Sequence, residues 1–217
     1  MKSKLDEKNF DLVRVLYNLK QSLDIYRVIA VNAKEITEAG SGKTFFAYIQ
    51  GLVIESCVVN ICKLFEIEKD PYELNSIPGV IEHLQREQIA CKDSEPIAVF
   101  ASENGVGYRV GHEVEVLSVI CKKFYDKNKA HLKRFKSFRD KRVAHAEHSV
   151  VNRKTPLPSY AVMDFILTFG VDFYSAVQSA YIGTYPVQIK DENKTLVGLL
   201  HLLKIRGIKN IKSDFND

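Results

Sequence analysis

A chain of 217 residues that is 46% hydrophobic and 27% charged has enough apolar material to bury a core, which excludes disorder and suits one globular domain with at most an appendage. Its formal net charge of +4 identifies no partner by itself. Six Pro and eleven Gly are few for this length, and the long stretches free of both exclude a meander of short strands in favour of helices.

The first helix is predicted over residues 6–37, where Phe10, Val13, Leu16 or Tyr17, Leu19 or Lys20, Leu23, Ile29 or Ala30, and Ala33 recur near the helical period without Pro or Gly. Gly40-Ser-Gly42 ends it. A second helix over 43–66 has apolar residues round much of its circumference, which places it at the centre of a bundle. Asp70-Pro71 closes that hairpin, and Ser76-Ile-Pro78 opens a shorter helix reaching to residue 90, with Pro near its first position. Residues 91–111 are the least regular, with a short helix over 95–102 ahead of the loop glycines Gly105, Gly107 and Gly111. Helical periodicity resumes at residue 112 and runs to 147, longer than globular helices usually are, so a bend or break is expected near 126–129. Pro156 and Pro158 mark a turn. Ser159 can cap the next helix, 160–182, which carries Phe165, Phe169, Phe173 and Val177 and is broken over 183–186. The last segment, 191–206, gathers Leu196, Leu199 or Leu200, and Leu203 on one face, with Gly207 as its C-cap. The expected organisation is an all-α helical domain over 1–186, with the amphipathic helix and short tail of 187–217 packed on it.

Several motifs compete for a chemical role. Gly40-Ser-Gly-Lys-Thr44 resembles the second half of a phosphate-binding loop, but position 37 is Thr where that loop needs Gly, and a helix precedes it where a strand is required. His145 and His148, with His131, can be arranged as metal ligands, yet the spacing of a metalloprotease helix is missing. Cys57 and Cys62 lie among Val58, Val59 and Ile61, where Cys acts as a small hydrophobe. The four Cys show no paired ligand spacing and residues 1–9 are charged rather than apolar, so reduced thiols in a cytoplasm are expected. The longest apolar run is interrupted by Glu55 and Lys63, and no membrane span is expected.

The segment 133–148 concentrates the chemistry. Leu117, Cys121, Phe124, Asn128, His131, Phe135, Phe138, Arg142 and His145 form one helical stripe that begins apolar and ends polar, as a seam opening onto a cleft or a second subunit would. Between Lys122 and Arg142 ten Lys and Arg face only Asp126 and Asp140, a local charge of +8 that leaves −4 for the remainder. Such a basic helix is the footprint of a phosphate-backbone binder, or simply a solvated face.

Arg139-Asp140, followed after five intervening residues by His145, resembles the R-x(4–6)-H motif of HEPN domains, including the polar residue directly after the Arg. Phe138-Arg-Asp-Lys-Arg-Val-Ala-His145, at the end of a long helix, is similar to the AbiU-type branch linked to phage abortive infection. The resemblance implies a helical bundle acting as a metal-independent ribonuclease, or a degenerate RNA-binding relative. HEPN toxins silenced by nucleotidylation carry a Tyr two residues after the motif His; that position is Glu147, so this mode of control gains no support.

The implied chemistry needs no cofactor. A neutral His removes the ribose 2′-hydroxyl proton, an Arg stabilises charge on the phosphoryl oxygens, and a second His protonates the leaving 5′-oxygen. Because one chain offers one good His in the motif, a two-fold homodimer lining one cleft is expected, with Phe135, Phe138, Arg142 and His145 in its interface. The candidate catalytic residues are Arg139, His145, Arg142 and Asp140. Arg139 is chosen by the family spacing and Arg142 by sharing a face with His145 at i, i+3 on an α-helix. Lys133, Arg134, Lys136, Lys141 and His148 form the expected RNA-binding set. The expected partners are RNA, a second copy and, in a toxin–antitoxin setting, an antitoxin protein. The alternative is a non-catalytic module of the same fold that binds RNA or protein.

Overall fold

The computed structural model describes residues 3–39, 42–67, 74–144, 159–189, 193–202 and 205–208. These residues hold helices and no strand: α1 (Lys4–Val31), α2 (Ala33–Glu38), α3 (Lys43–Leu64), α4 (Ile77–Arg86), α5 (Glu95–Glu103), α6 (Glu113–Phe138), α7 (Tyr160–Val177) and α8 (Asn193–Leu202). Two π-helical turns, π1 (Arg139–Ala144) and π2 (Gln178–Ile182), extend α6 and α7.

Local chemistry sets the helix ends. α1 starts two residues earlier than its apolar pattern because Ser3 and Asp6 form a reciprocal capping box. It ends at Val31 instead of running to residue 37, because the buried Asn32 turns its side-chain amide onto the Val28 carbonyl (2.9 Å) and the backbone leaves helical geometry. Ser76 caps α4 by accepting from the Gly79 N–H. Its hydroxyl also donates to the Glu66 carbonyl at 2.6 Å, which ties the exit of α3 to the entry of α4.

α1 and α3 lie side by side, with a Ser22–Ser56 hydroxyl contact of 2.8 Å between them. α7 covers the other flank of α1 so closely that a Cβ on Gly170 would stand 2.6 Å from Leu16 Cδ2. The main core joins α1 and α3 to α7, with an aromatic stack of Phe65, Phe124 and Phe169 (Phe124–Phe169 centroids 3.7 Å apart) between α3, α6 and α7. A smaller cluster, Val28, Ile29, Ile36, Phe46, Val197, Leu200 and Ile205, holds α8 against the end of α1. The C-terminal face thus uses Leu200, while Leu199 is exposed; Leu196 and Leu203 lie outside the described side chains. Gly207, with φ +74°, occupies a turn beyond the helix rather than its last position.

Two expectations are corrected. α6 passes through 126–129 as continuous α-helix, with Asn128 buried and bonded to the Phe124 carbonyl; the change of geometry comes at Arg139. α3 is central only in its C-terminal half, since Phe45, Tyr48 and Leu52 are exposed on its N-terminal half. By length and composition α3 and α7–π2 are each apolar enough to cross a membrane, although both supply core side chains, among them Val58, Ile61, Ile166 and Phe173.

Candidate functional site

α6 carries its stripe as predicted, but the aromatic part faces inward. Phe135 is 0% and Phe138 6% exposed, packed into the main core of one chain, so neither is available to a second subunit. The stripe is apolar there because it is the core face of α6. The residues flanking it, Lys133, Arg134 and Lys136, are exposed.

At Phe138 the α-helix gives way to π1, whose hydrogen bonds close over five residues. π turns inside helices are uncommon and concentrate at functional sites. The wider turn advances each residue through a smaller angle than an α-helix does, so Arg139 and Arg142 stand round the axis at a different angle from the one α-helical spacing gives. Arg142 and Lys141 are in this turn; Lys141 is exposed, and the Arg142 side chain lies outside the described set, as do His145 and His148.

Arg139, the first residue of π1, is held on two sides. Its Nε donates to Asp140 Oδ1 at 2.9 Å, and Nη2 reaches the same oxygen at 2.9 Å. Its Nη1 donates to Glu66 Oε1 at 3.3 Å, across the gap to the end of α3. The Arg139 side chain is 25% exposed, and those of Asp140 and Glu66 44% and 43%. Burial opposes its charge, but the Asp140 hydrogen bond and the nearby negative groups outweigh that and hold the pKa above its ordinary value. An ion pair as solvated as Arg139–Glu66 is worth at most about 1 kcal/mol. An anion arriving at Nη1 therefore meets little resistance from Glu66.

These groups border a cleft of about 490 Å³ between the end of α3 and the last turns of α6. Lys133, Lys136 and Arg139 line one wall, Cys62, Phe65 and Glu66 the opposite one, and Tyr125 and Leu132 also reach it. Arg134 and Lys141 are not among the lining residues, so the basic set is divided by the curvature of the helix. Lys123, counted in the basic segment, is already committed: its ammonium donates to the Asn104 and Gly105 carbonyls at 2.9 and 3.1 Å, capping the end of α5.

Cys62 sits opposite Arg139 yet is a poor nucleophile, since burial pushes its thiol up to about 11 despite the guanidinium. Cys57, deeper in α3, is pushed up to about 12 by burial. Among the described residues no three His, Cys, Asp or Glu converge as a metal site. Asp140 and Glu66 both spend an oxygen on Arg139, and His131, whose Nδ1 is buried without a hydrogen-bond partner, is not grouped with other ligands.

Sequence reasoning selected Arg139 and Asp140 but missed Glu66, which lies 73 residues away and looked like the end of a helix. Ser76, read in the sequence as the opening of a helix, gave no sign that its hydroxyl fixes the Glu66 backbone.

A long helix leading into this Arg–Asp pair, among described residues that hold helices and no strand, is what the family comparison meets. The sequence profile of the AbiU2 HEPN family matches residues 11–196. The chain belongs to the AbiU2 family. It carries an abortive-infection-type HEPN domain, and the AbiU2 match takes in α3, α6, π1 and the whole cleft. Neither the comparison with curated proteins nor that with solved structures returns a match.

Proposed function

We propose that this AbiU2 protein is a metal-independent endoribonuclease of phage defence or a toxin–antitoxin system, acting in the cytoplasm as a homodimer. The observation that carries the reading is Arg139: a guanidinium at a π-helical turn, oriented by the adjacent Asp140 and opening onto a cleft walled by Lys133 and Lys136. In this reading the two lysines and Arg139 draw a phosphodiester into the cleft. His145 removes the 2′-hydroxyl proton, the 2′-oxygen attacks phosphorus, and Arg139 stabilises the charge that builds on the phosphoryl oxygens. The 5′-oxygen leaves with a proton from the His145 of a second copy, so that the base and acid come from two chains. Asp140 is a positioning residue: it occupies the Nε edge and directs the remaining N–H groups outward. The alternative, a binding module without catalysis, is favoured by the double carboxylate pairing of Arg139, which also suits a structural link.

The two readings separate by mutation. His145→Ala should lower cleavage by at least about two orders of magnitude, the usual contribution of a general acid or base, while RNA affinity hardly changes. Replacing Lys133 and Lys136 with Ala should weaken binding and flatten its salt dependence, with a smaller effect for Arg134→Ala, whose side chain does not line the cleft. A silent His145→Ala in both an RNA-cleavage and a cellular toxicity assay would leave the binding module standing.

A further inference from the structure

Arg139 has five N–H donors in a fixed fork. Asp140 takes the Nε/Nη2 edge and travels with Arg139, being its chain neighbour. Glu66 is different in kind. It comes from the chain just beyond α3, contacts only the Nη1 end, and its backbone is fixed by the buried Ser76 hydroxyl on its carbonyl oxygen. Lys133 and Lys136, which precede Arg139 by about two turns and one turn, line the same cleft. A carboxylate paired with Arg139, in a cleft that Lys133 and Lys136 also line, occupies the place an anionic ligand would take. Phe65 and Tyr125, both partly exposed, supply aromatic surface beside it, and an aromatic face next to cations is the usual arrangement for holding a base and its phosphate.

We infer that Glu66 is a built-in plug of the phosphate subsite: single-stranded RNA enters the cleft with a backbone phosphate on Arg139 Nη1, Lys133 and Lys136 and a base against Tyr125, displacing Glu66 from the guanidinium. This rests on the reading of the cleft as an RNA site, though not on cleavage. Glu66 thereby sets a modest threshold, of the size of that ion pair, which a ligand engaging several cations at once overcomes more readily than an isolated phosphate ion. It costs binding strength and gives selectivity for a polyanion.

The test is a double-mutant cycle on affinity. A short fluorescent single-stranded 2′-O-methyl RNA, which lacks the attacking hydroxyl, is titrated by anisotropy into the wild type, Glu66→Gln, Arg139→Ala and the double variant, with thermal midpoints recorded to show that all four are folded. Glu66→Gln should bind on the order of fivefold tighter, as expected for removing one partly solvated charge at contact distance. In the Arg139→Ala background the same change should gain little. An unchanged or weaker Glu66→Gln, an equal gain in both backgrounds, or no binding by any variant would overturn the plug. Coupling without any cleavage of ordinary RNA would keep the plug and remove the ribonuclease reading; cleavage that depends on Arg139 without such coupling would do the reverse.

Discussion

Glu113, at the start of α6, shows how one carboxylate is committed by its surroundings. Its Oε1 accepts from the Gly111 N–H at 2.9 Å and from the Tyr108 hydroxyl at 2.8 Å. Burial alone would raise its pKa, but these two donors outweigh burial and hold it below the ordinary 4.5. A carboxylate depressed on folding stabilises the protein above its unfolded pKa, and that contribution is lost as pH falls through the lower folded value. Urea midpoints should therefore decline as the medium is acidified below about pH 4.5. Tyr108→Phe should cost about 1 kcal/mol near neutrality and progressively less in acid; a cost independent of pH would contradict this role. Nothing in the sequence of 105–111 beyond its glycines announced this anchor, because it depends on a hydroxyl and a carboxylate meeting across a loop. Arg139 and Asp140 were legible because the motif that names them is contiguous. Glu66 was not, since its partner is reached only when α3 and α6 are packed.

At the scale of elements, the 3.6-residue period located the helices well, including the short α4 and α5, and the errors have physical causes. Asn32 interrupts α1 through a side-chain bond that a hydrophobic count does not register. The π1 turn is invisible to periodicity because the shift from i→i+4 to i→i+5 bonding leaves a six-residue window too short to reveal a new period. α3 is apolar on several sides, but apolarity does not say what covers it, and Tyr48 at 65% exposure shows the difference. α7 packs closely on α1 at Gly170. Gly170→Ala would gain about 1 kcal/mol in helix propensity. Its Cβ would nevertheless meet Leu16, which is fully buried and has to shift within a packed core, and overpacking of that kind costs about 1–3 kcal/mol. The expected net effect is a loss of up to about 2 kcal/mol by chemical denaturation; a stabilised variant would show that the two helices separate at little cost.

For the whole molecule, the basic segment is neither one continuous RNA-binding stripe nor a solvated face alone. The fold assigns Lys123 to a helix end, places Phe135 and Phe138 in the core, and leaves Lys133 and Lys136 with Arg139 around one cleft. That partition is a tertiary property, which is why the charge count could point to the segment but not to the residues within it. AbiU2 membership joins this cleft to abortive-infection-type HEPN domains, and the proposed chemistry is Arg–His attack by the 2′-hydroxyl. The most direct test is incubation of the purified protein with total cellular RNA in EDTA, followed by analysis of the new ends. Undiminished cleavage leaving 2′,3′-cyclic phosphate and 5′-hydroxyl ends is the predicted result, because the two described carboxylates beside Arg139 are engaged by it rather than converging on a shared point suited to Mg²⁺. Ends bearing 5′-phosphate, or cleavage abolished by the chelator, would contradict it.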